Sequence, residues 1–187
     1  MKKILCLLVL LIGACSWRSP NSEFYMMGSQ GLEPLSQKKV NAVVANVKVP
    51  DILDRAQMVV YEAKDNQVKI MEFDRWGEVL PNVLQSTVVN DLIAYLPNSY
   101  IKRTYFDSPS ATYNINIEIN SLRAYQAKEV ILSAWWNIAN AKGNVIARHQ
   151  GVYTAKVDGG SVSDLVEAQT QAVHLLSKDI AEKLVKL

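Results

Sequence analysis

The sequence predicts an α+β fold: a largely antiparallel sheet in one layer, packed by two main amphipathic helices in a second. Two observations lead there. Strand-like segments fall into two blocks, each followed by an apolar stripe at helical spacing. Within each block, consecutive strands are joined by turn-rich stretches too short for a helical crossover, which disfavours a doubly wound parallel sheet. The helices exclude an all-β barrel.

The first block opens with "FYMM" (residues 24–27), a short strand candidate, followed by a polar loop to about Lys39. "VVANVKV" (residues 43–49) is β-branched and stops at Pro50, which cannot donate to a ladder. "QMVVYEA" and "QVKIMEF" flank "KDNQ" (residues 64–67), a turn-forming stretch that suits a hairpin. The period then changes. Leu80, Val83, Leu84, Val88, Leu92, Ile93 and Leu96 recur at spacings of mostly three and four, the buried stripe of a helix. Pro81 fits near its first turn and Pro97 stops it. Trp76 is expected to open this helix, with Arg75 and Glu78 capping and pairing beside it.

In the second block, "TYNINIEINSL" alternates strictly. Tyr113, Ile115, Ile117, Ile119 and Ser121 share one face, and Asn114, Asn116, Glu118 and Asn120 the other, as in a strand with one solvated side. "VILSAWWNIA" and "VIARHQGVYTAKV" surround "NAKGN", where Gly143 can take positive φ in a hairpin turn. Trp135 and Trp136 are adjacent on a strand and so point to opposite faces, one into the core and one toward solvent or a partner. The chain closes with a helix whose stripe is Leu165, Val166, Ala172, Val173, Leu176, Ile180 and Leu184. Ser161 and Asp164 form its capping box, and Lys183 and Lys186 complement the negative end of its dipole.

The start of the chain has a different character. "MKK" is a positive n-region, "ILCLLVLLI" a short apolar run, and "GA" a pair of small residues before Cys15. The run is too short to span a bilayer, which needs about 20 apolar residues. "LIGAC" resembles the bacterial lipobox, and that resemblance implies removal of residues 1–14 and acylation of Cys15. Residues 15–23 would then be a lipidated tether, and residues 24–187, which no repeat or linker divides, one domain. The reach from Cys15 to Phe24 is about 27 Å when fully extended. Several acyl chains anchor a protein far more firmly than one. By the sorting pattern of enterobacterial lipoproteins, Ser16 after the cysteine is expected to send the protein to the outer membrane.

Composition narrows function by exclusion. Of 187 residues 49% are apolar, enough for a core, and Lys2 and Lys3 supply the whole formal charge of +2. A neutral mature chain argues against a nucleic-acid partner, which calls for a basic stripe. With Cys6 removed and Cys15 acylated, no cysteine remains for a disulfide. His149 and His174 are too few to hold zinc, which takes three or four ligands. No serine lies in a nucleophile elbow. "DGGSVSD" lacks the lysine and spacing of a phosphate loop. Acid pairs drawn from Asp51, Asp54, Glu72, Asp74 and Glu78 gain meaning only from a fold that brings them together. The expectation is therefore a non-enzymatic protein with no cofactor and no metal.

The stretch "VPDILDRAQMVVYEAKDNQVKIMEFDRWGEVLPNVLQ" (residues 49–85) carries a more specific likeness. Pro50, Leu53, Asp54 and Arg55 precede a strand hairpin that ends on Arg75, Trp76, Glu78 and Leu80, an "RWAEPL"-like signature in which Val79 stands where Pro is usual. With the lipobox and the final helix, this resembles the ABC-type transport auxiliary lipoprotein family. The resemblance implies a lipid-anchored α+β domain on the periplasmic face of the outer membrane. Its partner would be the periplasmic MCE-domain protein of an intermembrane lipid transport system, and it would itself be single or a homo-oligomer. The signature residues would be structural or partner-binding, and residues 43–49 or 113–120 could offer a sheet edge to the partner. The alternative is an envelope lipoprotein that carries lipid or lipopolysaccharide, or assists assembly, by holding the molecule in a cavity between sheet and helices.

Overall fold

In the computed structural model, which describes residues 20–62, 67–103 and 111–187, the first block consists of β1 (Glu23–Tyr25), β2 (Asn41–Val44), β3 (Gln57–Tyr61), β4 (Val68–Trp76) and α1 (Leu80–Tyr95). The second holds β5 (Tyr100–Arg103), β6 (Tyr113–Tyr125), β7 (Glu129–Asn140), β8 (Val145–Lys156) and α2 (Val162–Lys186). Residues 1–19, with Cys15, and most of the "KDNQ" turn lie outside the described residues.

The strands form two mixed sheets, β1-β4-β3 and β5-β2-β6-β7-β8. The longest pairings, β3/β4, β6/β7 and β7/β8, are antiparallel. The short strands β1 and β5 join parallel, β1 to β4 and β5 to β2, and β2 is also parallel to β6. Both helices lie on the same side of the larger sheet, α1 beside β2 and β5, α2 across β7 and β8, and they pack on each other. This is the predicted α+β class.

Several local expectations need correction. The strand expected over residues 43–49 leaves regular pairing after Val44 yet stays against β6: the Lys48 amide donates to the Ile117 carbonyl (3.1 Å) and the Ile119 amide to the Lys48 carbonyl (2.8 Å). Residues 43–49 and 113–120 are therefore no sheet edge, because β2 lies between β5 and β6 and β6 between β2 and β7. Trp76 ends β4 and opens no helix; α1 begins at Leu80 with Val79 at its cap, and Arg75 donates from Nε to the Glu72 carbonyl (2.8 Å), not to Glu78. Ile93, expected on the buried stripe, is 40% exposed.

The strict alternation of β6 is interrupted once. Ile119 faces Ala134 and Ser121 faces Ser133, so Asn120 has no counterpart on β7. The bulge shifts the inward parity by one residue. Ile115, Ile117 and Ile119 point inward before it, and Leu122 and Ala124, not Ser121, after it. They meet Ile138, Trp136, Ala134, Leu132 and Val130 of β7 in register. Leu92 of α1 and Leu176 and Ile180 of α2 close this core, all fully buried.

Local signals hold where they are self-contained. Gly143 takes φ 82 in the β7–β8 turn. Ser161 Oγ accepts from the Asp164 amide (3.1 Å), and the Asp164 carboxylate accepts from the Ser161 amide (2.8 Å), completing the capping box. The Ser161 hydroxyl, donating to the same carboxylate at 2.7 Å, and then the Ser161 amide hold the Asp164 carboxyl below the usual carboxylate range. Among the described residues no helix is long and apolar enough to cross a membrane.

Candidate functional site

Alternation along β7 sends Trp136 into the core, 3% exposed, and leaves Trp135 on the opposite, helix-free face, 48% exposed. Register then fixes its neighbours. Trp135 stands between Glu118 of β6 and Gln150 of β8. One row along, Asn137 stands between Asn116 and Arg148, with Asn116 Nδ2 donating to Asn137 Oδ1 (3.0 Å). In the other direction Ser133 pairs with Val152, itself 65% exposed. Asn46 and Lys48, held against β6 by the irregular stretch after β2, wall the face and make it a groove of about 490 Å³ with Trp135, Val145 and Arg148 on its lining.

This face is polar at its margins and apolar at its centre, the composition of a small interface patch. Covering what remains exposed of the Trp135 indole would contribute roughly 2 kcal/mol. Trp135, with exposed Val145 and Val152 near it, makes this face the candidate contact surface.

The family-like signature lies elsewhere and is mostly architectural. Pro50 (φ −57) leads into a 3-10 turn, Asp51–Leu53, whose Leu53 is buried in the core. Two main-chain bonds then tie the following residues to the end of β4 and the start of α1. The Trp76 amide donates to the Ala56 carbonyl (2.7 Å) and the Leu80 amide to the Arg55 carbonyl (3.2 Å). Trp76 and Leu80 are buried at this joint. Arg75 and Arg55 are half-buried, whereas Asp54 and Glu78 are exposed. The signature residues thus sit where the small sheet meets α1, apart from the Trp135 face.

The histidines are held singly. His174 Nδ1 lies 2.8 Å from Oδ2 of fully buried Asp91, joining the two helices. His149 Nε2 lies 3.4 Å from Asp179. Tyr153 donates to the same Asp179 oxygen (2.8 Å) and accepts from Trp136 Nε1 (3.3 Å). Burial pushes the Tyr153 phenol well above its ordinary value, and its bond to Asp179 adds to this. Among the described residues no three His, Cys, Asp or Glu side chains converge on a metal position. The candidate acids do not come together either: Glu72, Glu78, Asp51 and Asp54 are exposed, and Asp74 lies against Tyr25. Tyr25, bonded to Glu23 and near Asp74, has its phenol pushed up to about 12, mainly by the Glu23 bond.

The sequence profile of the ABC-type transport auxiliary lipoprotein component matches residues 28–181. The chain belongs to that family. It is therefore a transport-auxiliary lipoprotein, and the family is not one of enzymes. No curated protein matches the chain in sequence. Among solved structures, it is similar to a protein described as uncharacterized, with TM-score 0.71 and 21% identity over 88% of this chain and 99% of that one. A Xanthomonas campestris protein of the DUF330 family gives TM-score 0.72 and 12% identity over 88% of this chain and 95% of that one. At such identities the likeness is one of fold, and it extends over the sheets and helices described above.

Arg148, Val145 and Lys48 were not singled out from the sequence. Alternation along β8 puts Arg148 and Val152 on one face, but only the β7/β8 register puts that face beside Trp135.

Proposed function

We propose that this family member is the outer-membrane component of an MCE-type intermembrane lipid transport system, docking the periplasmic MCE-domain protein at that membrane. In this reading residues 1–14 are a signal peptide, Cys15 carries the lipid anchor, residues 15–23 are the tether, and residues 24–187 form one docking domain on the periplasmic face. The observation that carries it is Trp135, half exposed at the centre of a helix-free sheet face and ringed by Glu118, Gln150, Asn137 and Arg148. Exposed Asp54 and Glu78 are available as a second contact. A homo-oligomer would present several such faces to one partner. Close packing of Ile115, Leu132, Ile138, Leu92 and Leu176 between sheet and helices weighs against a lipid cavity there and so against the carrier alternative.

Affinity purification of the tagged, acylated protein from gently solubilised envelopes, with mass spectrometry of what accompanies it, tests the reading. Recovery of an MCE-domain protein supports docking; stoichiometric lipid without that protein refutes it in favour of a carrier. Separately, Cys15→Ser is expected to move the folded domain out of the membrane fraction, and full membrane retention of the variant would remove the anchor from the proposal.

A further inference from the structure

The amino-terminal strand β1 forms one edge of the small sheet, and the residues along it divide between two faces. Glu23 and Tyr25 turn to one side, where the Tyr25 phenol donates to the Glu23 carboxylate (2.8 Å) and reaches Asp74 Oδ1 at 3.5 Å. Met27, next in that alternation, is buried. Phe24 and Met26 turn to the other side and are 67% and 52% exposed. Phe24 is the most exposed large apolar side chain among the described residues.

This face has a firm base. The Gly77 amide donates to the Tyr25 carbonyl (2.9 Å), and the Met26 side chain lies across Gly77, where a Cβ would come 2.7 Å from its sulfur. Phe24 stands in register with Arg75 of β4, and on that strand Phe73 is 40% exposed, so the apolar character continues beyond β1. The point where the chain enters the domain thus presents two adjacent apolar side chains on one face of an edge strand.

The chain ahead of this face decides what lies opposite it. In the anchored reading, on which this inference rests, acylated Cys15 sits at the bilayer surface, and residues 16–23 are all that separates it from Phe24. A flexible connection of that length has an end-to-end distance of roughly 17 Å. Its full reach is about 27 Å. The anchor therefore holds Phe24 beside lipid at high effective concentration, and a contact there needs little affinity of its own. Glu23, Glu72 and Arg75 leave no basic excess nearby, so apolar burial in the interfacial layer, and not attraction to anionic headgroups, is the force available.

We propose that Phe24 and Met26 rest in the interfacial layer of the bilayer that carries the anchor, and so fix which way the domain faces. Trp135 belongs to the other sheet, and no β1 or β4 residue lines its groove, so this contact leaves the docking face free.

The test places the environment-sensitive fluorophore NBD on Met26→Cys in the full-length acylated protein, reconstituted in liposomes of phosphatidylethanolamine and phosphatidylglycerol. Once Cys15 is acylated, the mature chain offers no other thiol. Val152→Cys, on the helix-free face of the larger sheet, is the comparison position. Shallow doxyl groups in the lipid are expected to quench the label at position 26 about threefold or more strongly than at position 152. The difference should persist at high salt, which screens charges but not apolar contact. Adding Phe24→Ser, on a mostly exposed side chain and with the fold verified by circular dichroism, should bring the quenching at position 26 down toward that at position 152. Equal quenching at the two positions in the wild-type background would overturn the proposal, because the domain would have no preferred face. So would a blue shift at position 26 that appears without liposomes and grows with protein concentration, which would assign the face to a second copy of the chain. Mass spectrometry showing Cys15 unmodified would refute the anchor alone. A His-tag in place of residues 1–15, held by a nickel-chelating lipid, then supplies the tether, and the same two labels decide whether the face meets lipid.

Discussion

The ring of Tyr153 lies directly over the backbone of Gly151, two residues earlier on β8, so that a Cβ at Gly151 would overlap the phenol's Cζ and Oη. This glycine is needed for the room it leaves. With it, the phenol reaches both Trp136 and Asp179 and ties β7, β8 and α2 together. Gly151→Ala is expected to expel the ring, break both bonds and destabilise the domain by about 2–3 kcal/mol, as overpacked core positions do. Equilibrium urea unfolding measures this, and an unchanged midpoint would contradict the geometry.

Removing only the hydroxyl isolates the bonds from the packing. Tyr153→Phe leaves Trp136 Nε1 buried without an acceptor, for an expected loss of about 1–2 kcal/mol. It also changes the response to alkali. The folded-state pKa of Tyr153 is raised, so its contribution is fully present below the ordinary tyrosine value of about 10 and is lost as pH rises beyond that. Thermal melts of the wild type between neutral pH and pH ~11 should therefore fall more steeply at the alkaline end than those of Tyr153→Phe. Parallel curves would count against this assignment.

His174 and Asp91 bridge the helices at a position where the carboxylate has no exposure and its other oxygen, Oδ1, has no partner. His174→Ala strands that carboxylate, and the expected cost is about 3 kcal/mol. The double variant His174→Ala/Asp91→Leu, which removes the buried polar group as well, should recover much of the loss. Failure to recover would mean that the histidine acts through packing.

The α2 cap is open to a direct check by circular dichroism. Ser161→Ala is expected to cost about 1 kcal/mol and to fray the first turn. Because the Asp164 carboxyl is held below its ordinary value, its contribution is present above that value and disappears on acidification through the lowered one. The difference in stability between wild type and Asp164→Asn should accordingly shrink toward low pH.

Trp135→Ala touches only the open face. Its stability should stay within about 0.5 kcal/mol of wild type, as at ordinary surface positions, while under the docking proposal recovery of an MCE-domain protein from envelopes falls. Loss of stability with unchanged recovery would make Trp135 structural.

What could be read from the sequence was whatever a single segment determines by itself. Period-two alternation separated Trp135 from Trp136 because consecutive strand residues always part. The Ser161–Asp164 box and the Gly143 turn are likewise complete within a few residues. What depends on a distant partner was hidden. The four residues of β5 form a strand because β2 lies alongside. Asn120 becomes a bulge only when matched against β7, which is why Ser121 was expected on the wrong face. The signature residues could be recognised by likeness, but their work as a joint rests on carbonyls of Arg55 and Ala56 that no side-chain pattern reveals.

The order of pairing along the chain sets a timetable. β6, β7, β8 and α2 are consecutive in sequence, and their contacts are among neighbours, so residues 113–186 can assemble by short loop closures. β2 cannot find its place in the sheet until β6 exists, although some seventy positions separate Ala42 from its partner Tyr113. A chain delivered amino-terminus first can therefore pair β1, β3 and β4 among themselves early, while β2 waits for β6 to supply its flank and the larger sheet closes last.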